Sequence, residues 1–271
     1  MLKNGRKTLL CILGIYFLLS IYASSLIYIE PMAHIYPQYE QKNLEDIEKK
    51  TPDLLTEADF QLIFEQTGLG KAAVMKLDSL DKLGYYQQNY FAKIEYTHFT
   101  NSPVSTEEYV ENPVVSLDFL EKGDILITHS SSVFSWRNGH AAIVIDAEKG
   151  QTLEAVVIGE KTCVQDVEKW RHYPNFLVLR LKGADEQLRS DIADTALELL
   201  CDKPYRLLTG VFSKKYPDRE NIIGTQCAHL VWLAYAYHGY DIDSDRGLIV
   251  TPKDISESDL LEVVQSYGRA N

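Results

Sequence analysis

An almost unbroken apolar run late in the chain, residues 228–237, constrains the fold more than any other segment. Only His229 interrupts it, and Gly239 follows shortly after its end. A segment that is apolar on nearly every side is typical of a helix buried all round. Thr225 is a candidate N-cap and Gly239 a candidate C′ residue, so the sequence predicts a buried central helix between them.

Cys227 stands at the start of this run and would lie in the first turn of the helix. The positive end of a helix dipole stabilises a thiolate at such a position, which makes Cys227 a candidate nucleophile. A buried cysteine is also commonly an inert core residue. The nucleophile hypothesis therefore requires a base within reach and a third group that orients the base.

His140 is the candidate base among the seven histidines. It begins an apolar segment, residues 140–146, that reads as a strand, and a returning strand is predicted over residues 152–158. Folding this hairpin about a turn near Glu148 sets Ala142 opposite Glu154. Glu154 then shares a face with His140 as a diagonal neighbour, at a Cβ separation of about 7–8 Å or less. A register slip of one residue would turn Glu154 to the other face.

His229 is the histidine nearest to Cys227 in sequence, but it is a poor candidate for the base. Two residues along a helix correspond to a rotation of roughly 200°, so its side chain would point away from the cysteine. We expect a packed histidine there. The cysteines show no zinc-ligand spacing, and the sequence predicts neither a metal nor a cofactor.

The first 29 residues read as a membrane anchor or signal segment. Lys3, Arg6 and Lys7 precede residues 8–29, which carry no charge and are long enough to cross a bilayer. Basic residues on the N-terminal side predict that the rest of the chain lies on the extracytoplasmic face. We expect a membrane-anchored protein, or a secreted one if the segment is cleaved near the small residues at 23–25.

Three cysteines follow this segment, which leaves at least one thiol unpaired in an exported protein. Cys163 and Cys201 could form a disulfide, although the sequence does not show that they meet. The net charge of −12 argues against nucleic acid as a partner, because nucleic-acid binding requires a basic surface.

Three regions follow from these patterns: residues 1–29, a stalk and helical accessory region over 30–112, and a catalytic domain over 113–271. Within the last, short strands precede an amphipathic helix at 185–201 and the Cys227 helix, and an acidic helical segment closes the chain. Strands in the middle joined by a hairpin and a buried helix later predict an α+β fold with an antiparallel sheet.

Several segments, taken in order, are similar to a known family. They are Gly123-Asp124-Ile125-Leu126, Gly139-His140-Ala141-Ala142-Ile143-Val144, Leu153-Glu154-Ala155, Trp170 with the strand over 177–181, Lys203-Pro204-Tyr205 and Gln226-Cys227-Ala228-His229-Leu230-Val231-Trp232. This order resembles the YiiX-like branch of the NlpC-type cysteine peptidase superfamily, in which the His strand precedes the Cys helix. The resemblance covers about residues 115–260 and leaves residues 30–112 unassigned.

The resemblance implies a circularly permuted papain-like fold, with an antiparallel sheet packed on a central helix that carries the cysteine. Cys227 would be the nucleophile, His140 the general base and acid, and Glu154 the orienting residue. Tyr205 matches a tyrosine often found near the site and would contact substrate.

These features together predict an exported thiol hydrolase that cleaves an amide bond, in cell-wall peptide, through an acyl-enzyme. The membrane would hold it through the N-terminal segment. One alternative is a lipid acyl hydrolase or acyltransferase that uses the same three residues on a lipid-linked acyl substrate. Another is a binding module that keeps the fold without catalysis.

Overall fold

The computed structural model describes residues 2–29, 37, 39–102, 105–133 and 136–268. Its α-helices are α1 (Leu2–Ile29), α2 (Glu45–Glu48), α3 (Glu57–Thr67), α4 (Lys71–Val74), α5 (Leu83–Tyr90), α6 (Glu186–Leu200), α7 (Cys227–Ala236) and α8 (Pro252–Ser256). Its strands are β1 (Tyr96–Ser102), β2 (Ser105–Val110), β3 (Ile125–Thr128), β4 (Ser131–Val133), β5 (Trp136–Arg137), β6 (His140–Asp146), β7 (Gln151–Glu154), β8 (Cys163–Asp166), β9 (Phe176–Leu181) and β10 (Leu261–Tyr267).

A six-stranded sheet in the order β10-β9-β3-β6-β7-β8 forms the centre of the molecule. Every neighbouring pair in it is antiparallel. Strands β1, β2, β4 and β5 make a second, four-stranded antiparallel sheet. The predicted α+β class with antiparallel pairing is therefore confirmed.

Alternate residues of the central strands separate two cores, because successive side chains of a strand point to opposite faces. On one face Ile127, Ala141 and Ile143 pack with α6 and α7. On the other face Leu126, Ala142 and Val144 pack with the region of helices α2 to α5. Burial on both sides explains why these strands read as continuous apolar runs rather than as alternating patterns.

The hairpin between β6 and β7 has the predicted register. Ile143 pairs with Leu153 and Val144 with Thr152, and a bulge follows before Asp146. Continued by one pair, this register sets Ala142 opposite Glu154. The bulge lies at the turn end, so it leaves the relation between His140 and Glu154 intact.

Helix α7 is the predicted central helix, and its residues 227–235 are all buried. The predicted cap is off by one residue: the N-cap is Gln226, whose side chain accepts a hydrogen bond from the Ala228 N–H at 2.8 Å. Thr225 instead contacts His229. Gly239 has a φ of 87°, the left-handed conformation expected just beyond a helix end.

Two segments expected to be helical are strands. Residues 96–102 and 105–110 form the antiparallel strands β1 and β2, and residues 261–267 form β10, paired with β9. In the first segment cross-strand pairing with β4 outweighs weak helical spacing. In the second segment, the burial of Leu261 and Val264 against the neighbouring strand and helices favours a strand.

The residues of the expected stalk at 30–36 and 38 lie outside the described residues.

The predicted membrane anchor is wrong. Within the described residues, no helix combines the length and the apolar character needed to cross a membrane. The expected membrane-anchored location is corrected accordingly. The side chains at the expected cleavage site, residues 23–25, lie outside those described.

Candidate active site

His140 is the first residue of β6, an inner strand of the central sheet, and it pairs there with Thr128 at the end of β3. Gly139 precedes it with a φ of 72°, and a Cβ there would lie 2.6 Å from the Thr128 carbonyl oxygen. Only glycine accommodates both the left-handed backbone and this close approach. The turn before β6 therefore fixes where the imidazole enters the site.

Glu154, the last residue of β7, holds one nitrogen of this imidazole. His140 Nε2 lies 2.6 Å from Glu154 Oε2. The other oxygen, Oε1, accepts hydrogen bonds from the Thr152 hydroxyl at 2.6 Å and from Trp170 Nε1 at 3.0 Å. Lys169 Nζ lies 2.5 Å from Oε2. A buried carboxylate with this many donors is held in one orientation.

Cys227 meets His140 from the other side of the site, at the first position of α7. The thiol lies close enough to the His140 side chain to help raise the pKa of the imidazole. Because Nε2 is occupied by Glu154, Nδ1 is the nitrogen left to exchange a proton with the sulfur. Cys227 and His140 are each 4% exposed and Glu154 is 0% exposed, so water screens these interactions little.

The charges of the three residues are coupled. Burial favours neutral His140, but its interactions with Cys227 and Glu154 outweigh burial and raise the pKa to about 9. Burial also favours neutral Glu154, but Lys169 and His140 hold the pKa of this carboxyl well below its usual range. The ionised Glu154 therefore stabilises the charged form of the His140 imidazole.

Tyr205 lies beside the start of α7. Its backbone forms a parallel bridge with Thr225, and the neighbouring Pro204 carbonyl accepts the Thr225 N–H at 3.0 Å. Burial, followed by the charge of Cys227, raises the pKa of Tyr205 well above its ordinary value. The phenol therefore stays protonated near the thiol, as a hydrogen-bond donor.

His229 is packed, as its position on the helix predicted. It is 0% exposed, and burial lowers its pKa to about 4. Its Nε2 donates to the Lys215 carbonyl at 2.7 Å, and its Nδ1 lies 2.8 Å from the Thr225 hydroxyl. Both nitrogens are therefore engaged away from Cys227.

Three further residues belong to the site without having been assigned to it from the sequence: Thr152, Lys169 and Trp170. Thr152 could have been found, because it lies two residues before Glu154 on the same face of β7. Lys169 and Trp170 come from the turn of 3₁₀-helix Val167–His172. Trp170 is one of the residues that carry the family resemblance, but no role was assigned to it, and Lys169 has no signal in the sequence. The Trp170 ring also stacks on the His140 ring, with centroids 5.6 Å apart.

The three central residues are of types that ligate metals, but protein groups already occupy most of their ligand atoms. His140 Nε2 and both oxygens of Glu154 contact protein donors. The arrangement suits proton transfer at sulfur better than metal binding.

The two other cysteines that follow α1, Cys163 and Cys201, are free thiols and form no disulfide.

Comparison with known proteins adds one distant similarity. No protein-family model matches the chain, and no curated protein does. Among solved structures, the crystal structure of metalloprotein yiiX from Escherichia coli O157:H7 is similar, with 17% sequence identity and a TM-score of 0.42. The chain is a weak structural neighbour of this yiiX protein. The match covers 54% of this chain and 98% of the other, and the wider NlpC-type and papain-like relation stays a prediction.

Proposed function

We propose that the protein is a thiol hydrolase that cleaves an amide bond through a covalent acyl-enzyme on Cys227. The observation that carries the proposal is the buried contact series from Cys227 to His140 to Glu154, in which the His140–Glu154 separation is 2.6 Å. A nucleophile at a helix N-terminus, a base and a group that orients the base are the parts that such chemistry requires.

In the proposed reaction the Cys227 thiol gives its proton to His140 Nδ1, and the thiolate attacks the carbonyl carbon of the substrate. Collapse of the tetrahedral intermediate expels the amine, which takes the proton from His140. A water molecule, deprotonated by His140, then attacks the thioester and releases the acid and the free thiol. Glu154 stays ionised throughout and stabilises the imidazolium.

The developing oxyanion would be held at the start of α7 and by Tyr205. The first N–H groups of a helix have no partner within the helix. The Ala228 N–H is already bonded to Gln226, which makes the Cys227 N–H the first donor. The Tyr205 phenol, protonated and beside the sulfur, would supply a second donor and contact the substrate.

The proposal extends to the fold family. A strand that carries the base before a helix that carries the cysteine, with the helix packed on an antiparallel sheet, corresponds to a permuted papain-like arrangement. Cell-wall peptide as the substrate, and a lipid-linked acyl substrate as its alternative, were both expected from a membrane location. Since that location is corrected, we propose the amide bond as the reactive group without assigning the molecule that carries it.

Trapping the acyl-enzyme tests this function. The full chain is mixed with activated amides and with esters of short acyl groups, quenched in acid and measured by intact-mass spectrometry. We expect an acyl adduct that maps to Cys227, is absent from Cys227→Ala and accumulates less in His140→Ala. Cys163→Ala serves as the matched control and should acylate normally. An adduct on Cys163 or Cys201, or acylation by esters alone, would contradict the proposal.

A further inference from the structure

A segment rich in aspartate, residues 241–254, follows α7 and runs into the first turn of α8. Asp243, Asp245 and Asp254 each bring one carboxylate oxygen to the same place, and these oxygens lie within 4.8 Å of one another. Carboxylates at this separation repel one another unless a positive charge lies between them.

Asp243 gives the second, independent observation. Its side chain is buried, with the residue 2% exposed, and Oδ2 forms an ion pair with Lys215. The other oxygen, Oδ1, is buried and accepts no hydrogen bond from any residue in the described part of the chain. A buried charged oxygen without a donor is unfavourable, and a bound cation would supply the partner that this oxygen lacks.

The charge balance of the cluster points to the valence of that cation. Three carboxylates face one ammonium group, that of Lys215, which also donates to the Gly247 carbonyl at 2.6 Å. Two negative charges are left over. The available ligand atoms are all oxygen, the ligand type that hard divalent cations prefer.

We propose that Asp243, Asp245 and Asp254 bind a hard divalent cation of the Ca²⁺ type, with water completing its coordination. Carboxylates at alternate positions, here 243 and 245, are a spacing that calcium-binding loops use. The Gly247 N–H donates to Asp245 Oδ1 at 2.6 Å and so orients that carboxylate. The site is separate from Cys227 and does not depend on the proposed hydrolase activity.

A cation bound to the three aspartates would also stabilise the N-terminus of α7. The Gln226 side chain donates from Nε2 to the Val250 carbonyl at 2.6 Å while its Oε1 caps the helix. Val250 lies in the same loop, between Asp245 and Asp254. A cation that draws the three aspartates together therefore stabilises the loop that holds the N-cap.

Terbium luminescence tests the site, because Trp232 lies beside the aspartates and can sensitise a bound Tb³⁺ ion. Its Nε1 donates to Asp241 Oδ1 at 2.8 Å, and Lys215 Nζ lies 4.8 Å from its ring centroid. The full chain, freed of metal with a chelator, is titrated with Tb³⁺. We expect sensitised emission that Ca²⁺ displaces.

Two variants and a control decide the outcome. Asp245 is exposed, so Asp245→Asn leaves the core intact and should weaken Tb³⁺ and Ca²⁺ binding about tenfold or more, since affinity follows ligand charge. Asp243→Asn should abolish binding. Asp53→Asn, the same change at an exposed site elsewhere, should bind normally. No sensitised emission from the parent chain, or equal titrations for Asp245→Asn and Asp53→Asn, would overturn the proposal.

Discussion

Glu154 sets the orientation and the charge of the His140 imidazole, because its two carboxylate oxygens have different partners. Oε1 takes hydrogen bonds from Thr152 and Trp170, whereas Oε2 contacts His140 and Lys169. The carboxylate is therefore fixed by one pair of partners and exerts its charge on the other. Its position could be predicted from the sequence because both it and His140 belong to one short hairpin, where turn and alternation set the register.

Replacing this carboxylate should lower the pKa of His140. In the parent protein the pKa is raised to about 9 by Cys227 and Glu154 against the effect of burial. In Glu154→Gln the amide keeps the size of the side chain but removes the charge. Burial, which favours the neutral imidazole, is then opposed by less negative charge, and the pKa of His140 falls. Nuclear magnetic resonance titration of ¹³C-labelled histidine measures the change, and Cys227→Ala should shift the pKa in the same direction.

Histidine 229 provides the internal control in the same spectra. Its pKa is held at about 4 by burial, and neither variant alters its partners, Thr225 and Lys215. A His140 titration that is identical in the parent and in Glu154→Gln would show that the carboxylate does not set the charge of the imidazole.

At the scale of elements, the sequence predicts five correctly: the strands β3, β6 and β9 and the helices α6 and α7. Each of them has an apolar pattern that extends over the whole element. Strands β1, β2 and β10 could not. Their side chains are partly polar, and they become strands only because β4 and β9 offer a free edge to pair with. Such pairing depends on residues far away in the sequence, which a local pattern does not contain.

The turn before β6 should be more sensitive to substitution than other glycine turns. Gly139→Ala forces a left-handed backbone on alanine and brings its Cβ to 2.6 Å from the Thr128 carbonyl oxygen. Gly183→Ala has nearly the same φ, 69°, with nothing within 4 Å of its Cβ. We expect Gly183→Ala to cost about 1 kcal/mol and Gly139→Ala distinctly more, as measured by urea unfolding.

The same pair of variants separates stability from the site. Gly139→Ala should also slow alkylation of Cys227, because His140 follows directly, whereas Gly183→Ala should leave the rate unchanged. Equal rates in both variants would mean that the turn does not position the imidazole.

At the scale of the whole molecule, the region of helices α2 to α5 covers the face of the central sheet opposite α7, where Phe60, Ile63 and Leu83 meet Val144 and Val178. Its helices could be expected from the sequence, but their docking could not, because it joins residues that are far apart in the sequence. Gly68 and Gly70 show how close the contact is: a Cβ on either would lie within 2.0 Å of a backbone oxygen of β10.

The global stability should depend on pH through His140. Its folded pKa, about 9, lies above the ordinary value of 6.5. Its contribution is therefore fully present below about pH 6.5 and is lost as the pH rises through about 9. The loss is of the order of 3 kcal/mol at most. Urea unfolding of the parent and of His140→Asn at about pH 6.5 and pH 9.5 should show this decrease in the parent alone; parallel decreases would contradict it.

The relative alkylation rates of Cys227, Cys163 and Cys201 test the central claim most directly. Cys227 is buried, whereas the other two are partly exposed, so accessibility alone predicts that Cys227 reacts last. If His140 and the helix end activate its sulfur, Cys227 instead reacts first with iodoacetamide at neutral pH, as followed by peptide mass spectrometry. His140→Ala should then slow Cys227 and leave Cys163 and Cys201 unchanged. Rates that follow exposure, with Cys227 slowest and insensitive to His140→Ala, would contradict the account.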